Sequence, residues 1–152
     1  MYAPIVAFFH NIVFWTAFLA WLTAQVAKVL CDLATHRRVH SKWFASTGGM
    51  PSAHSAMVGG LAMAMGWQCG FASPLFGLTM AFAILTMFDA ATVRRAAGLQ
   101  ARILNTMIDE LFQQHHLSQQ RLKELLGHTR LEVLLGFVIG VLVAVILNGY
   151  LA

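Results

Sequence analysis

The sequence is short of charge. Only 11% of its 152 residues are Asp, Glu, Lys or Arg, whereas 59% are hydrophobic. A soluble domain usually carries about 25% charged residues. The shortage therefore excludes an ordinary soluble domain and indicates a chain surrounded mostly by lipid. A chain of this length has room for one domain with about four spans of about 20 residues each.

Other scarce features of the sequence exclude further classes of protein. The two cysteines, Cys31 and Cys69, are expected at opposite membrane faces, so a disulfide framework is not predicted. The first residues lack the basic region of a signal peptide, so we expect this apolar segment to be retained. The net charge of +4 would suit nucleic acid, anionic lipid or phosphate. Because the charges lie in short connectors between apolar runs, nucleic acid is not an expected partner.

The apolar runs predict an all-α integral membrane bundle with a single domain over residues 1–152. Polar His10, Asn11 and Gln25 inside the first run suggest that one side of that helix faces protein rather than lipid. The segment that follows the third run has apolar residues at helical spacing, which predicts an amphipathic helix on the membrane surface or against the bundle. A short helix capped by Ser118 is expected to end near Gly127. The predicted spans are residues 3–27, 53–71, 74–93 and 131–151, with the amphipathic connector at 97–127.

Lysine and arginine are confined to the first and third connectors and their flanks. The second connector and both termini have none. The positive-inside rule therefore places the first and third connectors in the cytoplasm and both termini outside. Ionisable residues then gather at the cytoplasmic face, where a functional role is the default hypothesis for groups at membrane depth. These residues are Lys28, His54, Asp89, Arg94, Arg95, His128 and Glu132.

The segment Pro51-Ser52-Ala53-His54 is the first candidate for chemistry. A helix that begins here directs backbone N–H groups and its positive dipole end at the cytoplasm, which suits a phosphate group. Ser52 can donate its hydroxyl, and His54 can exchange a proton near neutral pH. The alternative is a capped helix with an incidental histidine, and the local residues favour neither interpretation.

His128 and Glu132 are the second candidate, since a helix would place them one turn apart on one face. A carboxylate beside an imidazole fixes its tautomer and leaves the other nitrogen as nucleophile or base. However, Thr129 and Glu132 also fit a capping box. In that case His128 precedes the helix, and we expect its pairing with Glu132 to loosen. The local residues favour the capping box.

Cations near these segments have two interpretations each. Arg94 and Arg95 can bind phosphate with their guanidinium groups, or anchor the membrane face and pair with Asp89. Lys28 can contact phosphate or extend its amine to the interface, which is commoner. Asp89 is also a candidate metal ligand.

Three segments in order, residues 47–56, 88–98 and 124–133, resemble the divergent PAP2 family, which is related to acid phosphatases and vanadium-dependent haloperoxidases. The resemblance covers about residues 25–145. It implies that His54 is the general acid for the leaving group. It also implies that His128 is the nucleophile, forming a phosphohistidine, with Glu132 orienting it.

The sequence departs from the wider PAP2 pattern at several positions. Glu132 stands where that pattern has Asp, and Ala53 stands where it has Gly. Arg-Pro follows neither Lys28 nor Lys42, and Arg121 lies one residue farther from His128 than the pattern has it. The pair Arg94–Arg95 is therefore the expected phosphate clamp.

The expected function is a lipid phosphatase of the bacterial inner membrane, with its site facing the cytoplasm and no metal or cofactor. Its expected substrate is a membrane lipid phosphate, either phosphatidylglycerophosphate or a polyprenyl phosphate or diphosphate. A homo-oligomer is conceivable. The rivals are a non-catalytic lipid-phosphate binder or transporter subunit, and a metal-dependent hydrolase that uses Asp89, His54 and His128.

Overall fold

A computed structural model of the protein describes residues 3–36, 50–112 and 128–151. In these ranges all regular structure is helical, which confirms the predicted all-α membrane fold. The helices, in chain order, are α1 (Ala3–Phe9), α2 (Ile12–His36), α3 (Ala53–Cys69), α4 (Pro74–Ala91), α5 (Val93–Phe112) and α6 (Arg130–Leu151).

Three stretches of the described chain are long and apolar enough to cross a membrane. They are Ile12–Ala34, Pro74–Asp109 and Arg130–Gly149. The remaining predicted span corresponds to α3, which has only 17 residues. It lies in the middle of the bundle and packs against α2, α4 and α6. The arrangement of four spans therefore stays a prediction, with α3 as its central helix.

The first predicted span, residues 3–27, is divided into two helices. Asn11 separates them, and its side chain caps α2 by accepting a hydrogen bond from the Phe14 N–H at 3.1 Å. The indole N–H of Trp15 donates to the Phe9 carbonyl at 2.9 Å, which ties α1 to the first turn of α2. α2 continues to His36, beyond the predicted end.

Helices α3 and α6 approach closely because small residues line both sides of their contact. A Cβ on Gly136 would overlap the carbonyl oxygen of Ser52, and a Cβ on Gly140 would overlap that of Ala56. The two glycines are four residues apart, so they lie on one face of α6. Membrane helices use such small residues to bring their backbones into contact. The contact fixes the position of α6 along the first turns of α3.

Helix α5 covers the predicted amphipathic segment as far as Phe112. Its large apolar side chains are exposed, as at Leu99 (51%), Ile103 (60%) and Met107 (52%), whereas Asn105 is buried. The apolar face is thus directed away from the bundle, as expected for a helix in contact with lipid. The short helix predicted between Ser118 and Gly127 lies outside the described residues.

Replacing Gly136 by alanine should destabilise the bundle, because the added methyl group cannot fit against the Ser52 carbonyl. We expect a loss of about 1–3 kcal/mol, typical of overpacking. The matched control is Gly149→Ala in the same helix, where a Cβ would meet open space. That variant should be neutral or slightly stabilised, since alanine favours helix over glycine. Thermal unfolding in detergent compares the two, and equal stability would contradict the prediction.

Candidate functional site

Main-chain hydrogen bonds join three helices at the end of the bundle where α3 and α6 begin and α4 ends, here called the site end. The Ser52 N–H donates to the Glu132 carbonyl at 3.0 Å, and the His128 N–H donates to the Ala90 carbonyl at 3.2 Å. Four residues predicted for the site lie here together: Lys28, Ser52, His128 and Glu132.

The side chains of His128 and Glu132 are in direct contact, with 2.8 Å between Nδ1 and Oε2. The imidazole is buried, with 2% of its side chain exposed, and the carboxylate is 19% exposed. With a proton on Nδ1 the imidazole donates to Glu132, which leaves the lone pair on Nε2. The pair has the arrangement in which a carboxylate orients a nucleophilic or basic imidazole.

The same carboxylate also caps α6. The Glu132 N–H donates to the Thr129 hydroxyl oxygen at 3.3 Å, and the Thr129 N–H donates to Glu132 Oε2 at 3.3 Å. This is the predicted capping box, and His128 precedes the helix as that interpretation requires. The expectation that the pairing would then loosen is wrong, because Oε2 accepts from both the Thr129 N–H and the His128 ring. The two interpretations describe one arrangement.

Ser52 caps α3 from a fully buried position. Its hydroxyl oxygen accepts from the Ser55 N–H at 3.4 Å and from the Ser55 hydroxyl at 3.0 Å. Both side chains have 0% exposure. Since the Ser52 oxygen already accepts twice, these two contacts do not involve its own O–H. The predicted contact of that O–H with phosphate stays a prediction. Sequence reasoning missed Ser55, whose signal is a second hydroxyl one turn after the cap.

Lys28 is buried, with 8% exposure, and its amine experiences the negative charge of Glu132. A buried amine does not fit the alternative of a side chain extended to water. His54 is exposed in the first turn of α3, two residues after the Ser52 cap. A reactive imidazole at an open position can exchange protons with water, which suits the predicted acid.

The remaining predicted residues lie at the junction of α4 and α5. Asp89 is half-buried in the last turn of α4, next to the residue whose carbonyl holds His128. Arg94 and Arg95 are in the first turn of α5, but their side chains are outside the described part, so the phosphate clamp stays a prediction.

Metal-binding groups of three or more His, Cys, Asp or Glu side chains do not occur among the residues that the structure describes. The described geometry therefore does not bring Asp89, His54 and His128 together as the metal-dependent alternative requires. Lys42 and Arg121 lie outside the described residues.

Gln25 is a buried polar residue to which sequence reasoning assigned no role at the site. It has 7% exposure, and its Oε1 has no hydrogen-bond partner within the part of the chain that the structure describes. The signal in the sequence was a carboxamide inside an apolar run, one helical turn before Lys28.

Thr129→Ala and Glu132→Ala should separate the two roles of the carboxylate. The first variant removes the cap and should cost about 1 kcal/mol of stability. It should leave the His128 ring paired, because the 2.8 Å contact does not involve Thr129. The second variant should lose comparable stability. It should also remove the acceptor that holds the proton on His128 Nδ1, so the ring should no longer be fixed in one tautomer. ¹⁵N chemical shifts of the His128 ring report the tautomer, and an unchanged ring spectrum in Glu132→Ala would contradict the assignment.

Comparison with known proteins agrees with the resemblance that the three segments suggested. The model of the divergent PAP2 family matches residues 9–143. The chain is 37% identical over 139 residues to the uncharacterized membrane protein YuiD of Bacillus subtilis (strain 168), with 84% of this chain and 88% of YuiD covered. No solved structure matches. The chain therefore belongs to the divergent PAP2 family of membrane proteins.

Proposed function

We propose that the protein is a membrane lipid phosphatase that hydrolyses a phosphomonoester through a phosphohistidine. The observation that carries the proposal is the 2.8 Å contact between His128 Nδ1 and Glu132 Oε2. It leaves Nε2 as the free nitrogen of a ring that is held at the beginning of α6, beside the capped beginning of α3. Membership of the divergent PAP2 family supports the same chemistry.

The first step transfers the phosphoryl group to the enzyme. His128 Nε2 attacks the phosphorus atom, the bond to the alcohol oxygen breaks, and protonated His54 gives its proton to the leaving alkoxide. The phosphorylated ring becomes cationic, and Glu132 at Nδ1 stabilises that charge. In the second step neutral His54 takes a proton from water, which attacks phosphorus and breaks the N–P bond. Inorganic phosphate leaves, and both histidines return to their starting forms.

The oxygens of the phosphoryl group carry negative charge that the site must stabilise. Lys28 contributes a buried cation at the site end, where its amine interacts with the charge of Glu132. The first turns of α3 and α6 contribute the positive ends of their helix dipoles. Arg94 and Arg95 begin α5 next to the α4 end that holds His128. This distribution of positive charge suits a phosphate dianion.

The proposed substrate is phosphatidylglycerophosphate, with a polyprenyl phosphate or diphosphate as the other candidate. Because lysine and arginine flank the site end, the proposed location is the cytoplasmic face of a bacterial inner membrane. The exposed apolar face of α5 would hold that helix at the depth of the lipid headgroups. No cofactor takes part in this mechanism.

Purified protein with EDTA should release phosphate from a lipid of this class, and His128→Ala should lose at least about 10³-fold in kcat because it lacks the nucleophile. His10→Ala is the matched control, since His10 is an exposed histidine between α1 and α2, far along the chain from the site. Malachite-green detection across a panel of lipid phosphates measures release. Full activity in His128→Ala would sink the proposal.

His54→Ala should lose about 10²–10⁴-fold in kcat for alkyl phosphates, the range of general acid catalysis. The rate of phosphoryl transfer to His128 from an aryl phosphate should fall far less, because the aryl leaving group departs without a proton. An acid-labile phosphoenzyme should then accumulate, because deprotonation of water also depends on His54. Rapid-quench trapping of ³²P detects it, and an equal loss on both substrates would argue against His54 as the acid.

A non-catalytic lipid-phosphate binder is the second candidate. It is favoured by the burial of His128 and by the cap at Thr129, which together give the His128–Glu132 pair a structural role without catalysis. Such a protein would bind lipid phosphate in vesicles and release no phosphate. Its binding would need the cations and would survive replacement of both His54 and His128.

A further inference from the structure

Gln25 lies on α2 at the level of the first turns of α3. Its neighbour Ala24 packs in one cluster with Ala53 and Ala56, which lie in the first turn of α3 after the Ser52 cap. Lys28, one turn later on α2, experiences the charge of Glu132. With 100° per residue, Gln25 and Lys28 differ by about 60° in direction. Both side chains are buried, so both are directed toward the bundle.

The Gln25 carboxamide has an acceptor that the protein does not use. Oε1 is buried without a hydrogen-bond partner among the described residues, and the residue is 7% exposed. Buried acceptors without partners are rare, because desolvation is then not offset. A buried acceptor without a partner, close to the proposed substrate site, can accept a hydrogen bond from a hydroxyl group of the bound ligand.

Depth along α2 indicates which part of a lipid would bring that donor. Gln25 is three residues before Lys28, so it lies about 4.5 Å farther from the site end. A phosphomonoester lipid enters with its phosphate at the membrane surface and its alcohol carbons below. A phosphate at the level of Lys28 and His128 therefore puts the carbons of the leaving alcohol at the level of Gln25.

We propose that Gln25 Oε1 accepts a hydrogen bond from a hydroxyl on the alcohol side of the scissile phosphate, and so selects glycerol-type headgroups. This assignment rests on the proposed phosphatase function and names the substrate class of that site. A lipid phosphate without such a hydroxyl leaves the acceptor unpaired when it binds. The site then discriminates by the cost of that unpaired group.

Two lipids that differ by one hydroxyl test the proposal. One has a glycerol phosphate headgroup on a diacyl phosphatidyl anchor, and the other has propane-1,3-diol phosphate on the same anchor. Wild-type protein should prefer the first by about tenfold in kcat/KM, the value of one well-made hydrogen bond. Gln25→Met, which keeps the length of the side chain, should abolish this preference by slowing the glycerol lipid alone.

Thr16→Val is the matched control. Thr16 is also on α2 and is fully buried, and its hydroxyl oxygen has no partner in residues 3–36, 50–112 and 128–151, but it lies nine residues away from Gln25. That variant should keep the tenfold preference. A merely structural role of Gln25 would lower kcat/KM for both lipids equally.

The outcomes separate the two proposals. Phosphate release by wild-type protein from neither lipid and from no polyprenyl phosphate or diphosphate would overturn the phosphatase function itself, whereas release from a polyprenyl substrate alone would overturn only the assignment of Gln25. Release from both without preference, or a preference that Gln25→Met keeps, would overturn the assignment of Gln25 and leave the phosphatase standing. Loss of the preference in Gln25→Met, with Thr16→Val unchanged, would support both.

Discussion

The structure depends on the direct contact between the backbones of α3 and α6. Where Gly136 meets the Ser52 carbonyl and Gly140 meets the Ala56 carbonyl, α6 has no side-chain atoms to separate the two main chains. In a membrane the surrounding lipid is as apolar as the helices, so close packing is a main source of association energy. This contact brings the Ser52 N–H to the Glu132 carbonyl. The beginnings of two helices are thus held together, and both histidines lie at the same end of the bundle.

Glu132 shows how one side chain can serve both folding and chemistry. The N–H groups in the first turn of α6 need acceptors, and the Thr129–Glu132 cap supplies them. The same oxygen accepts from the His128 ring, so the group that begins the helix also sets the tautomer of the candidate nucleophile. Because Glu132 both caps α6 and orients the His128 ring, no separate orienting residue is needed, and a small bundle can hold a site of this kind.

Polar residues inside an apolar helix are costly, and α2 has two at neighbouring turns. The negative charge of Glu132 offsets part of the cost of burying Lys28, whereas Gln25 Oε1 has no hydrogen-bond partner among the described residues. In the proposed binding mode the phosphate lies at the level of Lys28 and the leaving alcohol at the level of Gln25. This proposed order follows the order of phosphate and alcohol carbons in a lipid headgroup.

Composition and periodicity in the sequence determined the helical membrane class, because lipid imposes long apolar runs that no soluble fold requires. Local signals also determined the caps at Ser52 and Thr129, since a cap depends on residues three or four apart. The break at Asn11 is a local cap of the same kind, although we did not predict it from the sequence. The close α3–α6 contact was decided by tertiary structure, because it depends on which surfaces meet. The same holds for His128 and Glu132. Their spacing in the sequence presented the cap and the side-chain pair as alternatives. The two are compatible because the Ala90 carbonyl of α4 holds His128 in its folded position. The unpaired acceptor of Gln25 was likewise hidden in the sequence, because it is defined by the described residues that surround it in space.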